Sequence, residues 1–550
     1  MKPFTTLTIL VFYFFANTAV ANNKDTEQTA TFIKIWGFLK YYHPTIAKGK
    51  IDWDEAFRTG IKAVRLLESK EEVNNYYKNW IIKLGKIERC QSCQVEVDSN
   101  RKYNLNMGWL KDSVNFDKEL IIQLIYIQKN RNQGQNYYVS QVKGVGNTEF
   151  KNEKVYRDSI YPSPELRLLT LARYWNIVEY FYPYRYKTDQ NWETVLTEMV
   201  PKFATAPDTT TYHLAILELT AKVDDSHAKF STRNTNKYFG FKWAPFSFKI
   251  IDNKAVVTGF YNDSLSVKDD VRIGDVFLKV NGMPIAAILK ENSRYIGASN
   301  EAVKKRDMHN ILFNGKSETV ETEFERNGVV SKKRISRIGY DKLNYKSNSD
   351  IIKDCVKVFE GNVGYINLGN LQQNQVKSAL AAVKNTKAII FDIRNYPNQT
   401  MYLLADFLND DRKAFVKATV PDINYPGTFN FSKEIYCGRK NLNYYSGKVI
   451  LLCNETTQSH AEFTMMALQT APNVTIVGSQ TSGADGNVSL ITLPGAFKTW
   501  ITGIGIYYPN ERETQRIGII PDVIVRPTIA GIRLRKDEVM EKAMEIVTKN

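Results

Sequence analysis

Cysteine and histidine are scarce in this chain, five of each among 550 residues. Cys90-Gln-Ser-Cys93 has the spacing of a local disulfide. A zinc site there would need two further ligands, and no cysteine or histidine lies close in sequence. Cys453 sits inside an apolar run and reads as a buried thiol. Neither a metal nor a cofactor is expected. Long apolar runs are also absent after the first residues, none approaching the ~18 that a membrane helix needs. The formal charge of +16 comes from lysines spread over the whole length, with no dense basic block. That pattern reads as a solvated surface, with nucleic acid or an anionic membrane as the minor alternative, and no nucleic-acid partner is expected. With 43% hydrophobic and 12% aromatic residues, the chain has the material for several folded cores.

Residues 1–21 have the form of a secretory signal: Lys2, an apolar stretch from Leu7 to Phe15, and Ala19-Val20-Ala21 before Asn22. The expected mature protein is exported, periplasmic or extracellular, with no integral membrane segment. From 22 to 160 the chain reads as helical and then mixed. Phe32, Ile35, Trp36, Leu39 and Tyr42 share one helical face, and Pro44 ends that helix. The segment recurs: Trp36-Gly-Phe-Leu-Lys-Tyr-Tyr-His-Pro44 aligns with Trp175-Asn-Ile-Val-Glu-Tyr-Phe-Tyr-Pro183, and Trp53 with Trp192. A second helical copy is therefore expected over 161–235, and aromatics repeating at helical spacing are expected to be core. This copy ends in Asp224-Asp225-Ser226-His227.

Residues 236–340 change to β character. Asn327-Gly328 between two alternating runs is a hairpin signal. Between 350 and 550 strands and helices alternate, as in an α/β layer. There Val449 to Cys453 forms a buried-strand run, a polar loop follows, and Ser459 opens a helical pattern through Phe463, Met466, Ala467 and Thr470. Two readings of Ser459 stand together. Ser459-His460-Ala461-Glu462 is a capping box. It is also where a hydrolase places a nucleophile, because helix-start N–H groups can hold an oxyanion.

The ordered set of motifs separates the two readings. Val271-Arg-Ile-Gly-Asp-Val-Phe-Leu-Lys-Val-Asn-Gly282 is similar to a PDZ domain, with Phe239-Gly240-Phe241 standing for its carboxylate-binding loop. Taken with Asp392-Ile-Arg-Asn395, the Ser459 unit and Gly518-Ile-Ile-Pro-Asp522, the chain over roughly 165–548 resembles the tail-specific, C-terminal processing serine peptidases, in their tricorn-core-like branch. The resemblance implies an α/β crotonase-like (ClpP-like) protease core, an inserted β-rich PDZ-like domain and an N-terminal mainly α-helical region. It implies Ser459 as nucleophile, His227 as base and Ser226 as its neighbour. The backbone of His460 and Asn398 would form the oxyanion hole. Thr481-Ser-Gly-Ala-Asp-Gly486 lacks the lysine of the serine–lysine branch. Where the branch has an orienting glutamate this chain has Gln515, leaving Glu513, Glu511 and Asp225 as alternatives. The family's two loop glycines are Asn398 and Gln399 here. The implied function is an exported endopeptidase cutting polypeptides near C-terminal or unstructured segments. The alternatives are an inactive peptide-binding protein on the same fold, or an esterase or amidase of small molecules.

Overall fold

The computed structural model describes residues 5–93, 101–344 and 354–549. The chain forms two compact units, one of Met1–Val223, Thr419–Phe431 and Val488–Ile504, the other of Asp224–Ala418, Ser432–Asn487 and Gly505–Asn550. Among the described residues no helix is long and apolar enough to cross a membrane.

The first unit is built on two helix pairs. Helix α1 (Thr5–Tyr42) pairs with α2 (Trp53–Arg65), and α3 (Pro164–Phe181) with α4 (Trp192–Ala204). Helix α1 ends at Tyr42, just before His43 and Pro44. His43 intervenes as the N-cap of the short helix Pro44–Ala47, its Nδ1 accepting the Thr45 N–H at 3.2 Å. In each pair two tryptophans stack in parallel, with centroids 6.3 Å and 6.4 Å apart. Each indole donates to the other's carbonyl: Trp36 to Trp53 at 2.9 Å and back at 3.1 Å, Trp175 to Trp192 at 2.8 Å and back at 3.1 Å. Buried indole N–H groups need acceptors, so this reciprocal bond explains why both tryptophans recur together.

The two copies also face one another reciprocally. Arg173 of α3 pairs with Asp54 of α2 at 2.9 Å, and Lys34 of α1 pairs with Glu193 of α4 at 3.4 Å. Lys34 aligns with Arg173 and Asp54 with Glu193, so one pair is the other with the copies exchanged. Equivalent residues meet as well: Tyr41 packs edge-on to Tyr180 with centroids 5.5 Å apart. Gly37 lies against its counterpart Asn176, where a Cβ would come within 1.8 Å of the amide oxygen. This is the pattern of an isologous, two-fold interface within one chain.

Two larger sheets, among others, lie in the second unit. In the first, strands β1 (Phe246–Ile251), β2 (Lys254–Phe260), β3 (Val276–Val280), β4 (Thr319–Arg326) and β5 (Val329–Ser336) run in the order β5-β4-β3-β2-β1. Asn327 and Gly328 form the expected hairpin turn, both at positive φ. Helix α5 (Glu301–Asp307) contacts β1, the edge strand. The second sheet runs β6 (Val356–Phe359), β7 (Val363–Asn367), β8 (Ala388–Asp392), β9 (Lys448–Cys453), β10 (Val474–Gly478) and β11 (Val523–Ile524). Its strands are parallel from β7 to β11, with β6 antiparallel. Every residue of β7 and β8 is buried, as a parallel sheet covered on both faces requires. The register pairs Asp392 with Leu452 and Cys453 with Gly478, so the loops after β8, β9 and β10 leave the same sheet edge. Open parallel sheets place their sites at that edge.

Candidate active site

Ser459 sits where β9 passes into helix α6 (His460–Leu468) with φ +57° and ψ −122°. An ordinary N-cap residue is extended. A serine held at positive φ costs of order 1–3 kcal/mol, a strain that concentrates at functional turns and is the hallmark of a strand-to-helix nucleophile elbow. The preceding loop is tied to the β8 loop: Thr457 Oγ1 donates to Ile393 O at 2.7 Å and Thr456 Oγ1 to Arg394 O at 2.9 Å. The Ser459 N–H points to Ala484 O at 2.9 Å and to Glu462 Oε2 at 3.2 Å, leaving the serine half-buried.

Glu462 is the hub beneath it. Its carboxylate also accepts from Thr481 Oγ1 at 2.5 Å, Gly483 N at 2.8 Å and Ala484 N at 3.0 Å. Burial pushes its pKa up, and these donors oppose that rise. Gly518 passes so close that a Cβ would meet Thr481 Oγ1 at 2.4 Å and Glu462 Oε1 at 3.0 Å. Asp522 Oδ2 accepts the Ile476 N–H at 2.8 Å. The Gly518–Asp522 motif thus holds the site without lining it. Asp485, also buried, has its carboxyl pKa raised by burial and by the nearby Glu462 charge.

His227 lies on the turn that opens the second unit. Its Nδ1 is 3.6 Å from Asp225 Oδ1, which also accepts the His227 N–H at 3.1 Å. Burial lowers the imidazole pKa and the Asp225 charge offsets part of that. Ser226 is clasped by Ser299: Ser226 N–H and Oγ reach Ser299 Oγ at 2.9 and 3.1 Å, and Ser299 N–H reaches Ser226 Oγ at 2.9 Å. Arg516 links this turn to the serine, its Nε donating to Ser299 O at 3.0 Å and its N–H to Gly483 O at 2.7 Å. One continuous set of hydrogen bonds therefore joins the His227 turn to the Ser459 turn. Glu513 is half-buried and bridges Tyr507 through its backbone. Asp225 places its carboxylate beside the His227 ring.

The loop after β8 is anchored by buried Arg394, which bonds Asp392 at 2.7 and 3.0 Å and Asp537 at 2.8 Å. The Asp-x-Arg pair is scaffolding. Among the described residues none of 393–400 is at positive φ, so Asn398 and Gln399 occupy backbone that any residue can adopt. Asn398 is fixed by its amide donating to Leu371 O at 2.9 Å. Burial lowers the His460 imidazole pKa, and a hydrogen bond with the Asn398 backbone opposes that lowering. Among the described residues, neither the His460 nor the Asn398 N–H has an internal acceptor.

Phe239, Gly240 and Phe241 are elsewhere. They end the helix Arg233–Phe239, and the Gly240 N–H is spent on Asn236 O at 2.8 Å. The sequence expectation of a carboxylate loop here therefore fails on geometry, because a helix C-cap consumes the donor that such a loop must offer. The groove of this domain lies instead between β1 and α5, about 700 Å³ in volume, and runs to Glu455 and Thr456 of the loop before Ser459. Arg306 on α5 grips that loop, donating to Glu455 O at 2.8 Å, Gln458 Oε1 at 3.1 Å and Ser482 Oγ at 3.1 Å. Sequence reading missed Ser299 and Arg306, which belong to no local motif. Glu462 was visible as a capping residue, and its bonds to Thr481, Gly483 and Ala484 were not.

Residues 362–525 match the model of peptidase family S41, and residues 241–353 match a PDZ domain. A carboxy-terminal-processing protease of Bartonella bacilliformis is 28% identical over 207 residues, covering 35% of this chain and 46% of that protein. The chain thus spans about half the length of this curated relative. Among solved structures, mature CPAF complexed with lactacystin aligns with TM-score 0.55 at 14% identity, over 70% of this chain and 99% of the other. Mature CPAF alone aligns with TM-score 0.54 at 15% identity, over 70% and 96%. At these identities the structural likeness speaks for the fold.

Proposed function

We propose that this chain, whose residues 362–525 match peptidase family S41, is a tail-specific, C-terminal processing serine endopeptidase of the tricorn-core-like branch on a crotonase-like core, with Ser459 as nucleophile. The observation that carries the reading is the strained backbone of Ser459 at the exit of a buried parallel strand. In this mechanism the Ser459 hydroxyl attacks the scissile carbonyl carbon while its proton passes to His227. Asp225 orients the imidazole and stabilises its charged form, and the Ser226–Ser299 clasp fixes the turn. The developing oxyanion is held by the N–H groups of His460 and Asn398. The tetrahedral adduct then collapses: the carbon–nitrogen bond breaks, His227 returns the proton to the leaving amine, and an ester to Ser459 remains. Water, deprotonated by His227, hydrolyses that ester and restores the serine.

The groove between β1 and α5 receives the substrate as an added strand, a role supported by the open edge of β1. Export to a periplasmic or extracellular space is part of the same reading. It is supported by the signal-like residues 1–21 and by the Cys90–Cys93 disulfide. Treatment with a fluorophosphonate probe followed by peptide mapping tests the site. The expected adduct is on Ser459 and is strongly reduced in His227→Ala. A folded protein that acquires no adduct at Ser459 would instead support an inactive peptide-binding role.

A further inference from the structure

We infer that the groove between β1 and α5 selects acidic polypeptide segments, recognised by Lys305 and Arg526. This rests on the reading of that groove as a strand-adding peptide site and names the class of peptide it takes. Strand β1 ends its sheet, so one side of its backbone is open to a further strand. Phe248 and Ile250 are half-buried along the groove and supply apolar contact for alternate side chains. What distinguishes the site is its charge. Lys249 is neutralised by Glu455 at 3.0 Å, Arg306 is paired with Asp307 at 2.7 Å, and Glu301 meets Lys304 at 3.5 Å. Lys305 from the helix and Arg526 from beyond β11 line the groove, are exposed, and have no ion partner among the described residues. Asp252, at the β1–β2 turn, is the one lining acid left against them.

Two unpaired cations beside an open strand edge favour carboxylates projecting from an added strand, and they repel basic segments. The affinity difference is set by exposed charges, so it must fall with salt.

The test uses the full chain carrying Ser459→Ala, so that bound peptide is not cut. Fluorescence anisotropy compares one labelled extended peptide in three forms, with two alternate positions Glu, Gln or Lys. The Glu form should bind about three- to tenfold tighter than the Gln form in low salt, and the Lys form weakest. The gap should close in high salt. In Lys305→Glu/Arg526→Glu, both exposed substitutions, the order should invert while thermal stability is kept. Equal binding of the Glu and Gln forms, unchanged selectivity in the double variant, or no binding by any form would overturn the inference. Hydrolysis of an unstructured polypeptide by the wild-type chain is followed in parallel. Intact hydrolysis without charge selection removes this inference alone, whereas charge-selective binding without hydrolysis removes the peptidase reading and leaves this one.

Discussion

The Ser459 backbone is held at φ +57° by the bonds from its N–H to Glu462 and Ala484. Alanine would inherit the strain and glycine would not. Ser459→Gly is therefore expected to melt higher than Ser459→Ala, by the equivalent of about 1 kcal/mol, although both abolish turnover. Equal melting temperatures would mean that the elbow is unstrained. His227 makes a second prediction at this scale. Its burial holds the imidazole below the usual 6.5, so the acidic limb of kcat/KM should lie below that pH. Asp225 raises the His227 pKa, so Asp225→Asn should move the limb further to acid and lower kcat. A limb that does not move would point to another orienting acid. At Asp485 the sign runs the other way. A buried carboxyl with a raised pKa favours the fold below about pH 4, where the unfolded chain is also protonated, and this advantage is lost as pH rises through the folded value. Asp485→Asn should therefore raise the melting temperature at neutral pH, and the gain should vanish in acid. The serine itself was legible in sequence as a polar residue between a strand run and a helix run. Its dihedral angles were not, because they are imposed by Glu462 bridging to Thr481, Gly483 and Ala484, a contact that sequence spacing does not encode.

The paired helices show how an element repeats for a physical reason. Tryptophan at one fixed spacing in both copies was readable, because each indole closes a hydrogen bond onto its partner's carbonyl. The two-fold contact between copies was hidden, since the residues that make it differ: Gly37 faces Asn176, and Lys34–Glu193 mirrors Arg173–Asp54. Gly37→Ala should destabilise the protein by about 1–3 kcal/mol through overpacking against the Asn176 amide, and Asn176→Ala in the same chain should recover part of the loss. Chemical denaturation of the two single variants and the double variant measures that coupling, and strict additivity would contradict the contact. Helix α5 and the loop before Ser459 are related in the same way. Arg306 joins elements far apart in sequence, which is why no local pattern announced it.

For the molecule as a whole, the order of motifs carried more information than any one of them. Asp-Ser-His before the PDZ domain, Asp-x-Arg, the strand-serine-helix unit and Gly-Ile-Ile-Pro-Asp each prove to be structural supports or turns around one sheet edge. Their sequence order was legible because the topology fixes it. The Phe239–Phe241 expectation failed for the converse reason: an apolar-Gly-apolar triplet also ends helices, and the edge position of β1, on which the proposed peptide groove rests, is set by topology and not by a local motif. The most direct test of the account is to incubate residues 22–550 with an unstructured polypeptide and follow the fragments by mass spectrometry, beside Ser459→Ala and His227→Ala. Fragments are expected from the wild type alone. Absence of cleavage by all three folded proteins, or cleavage that survives Ser459→Ala, would contradict it.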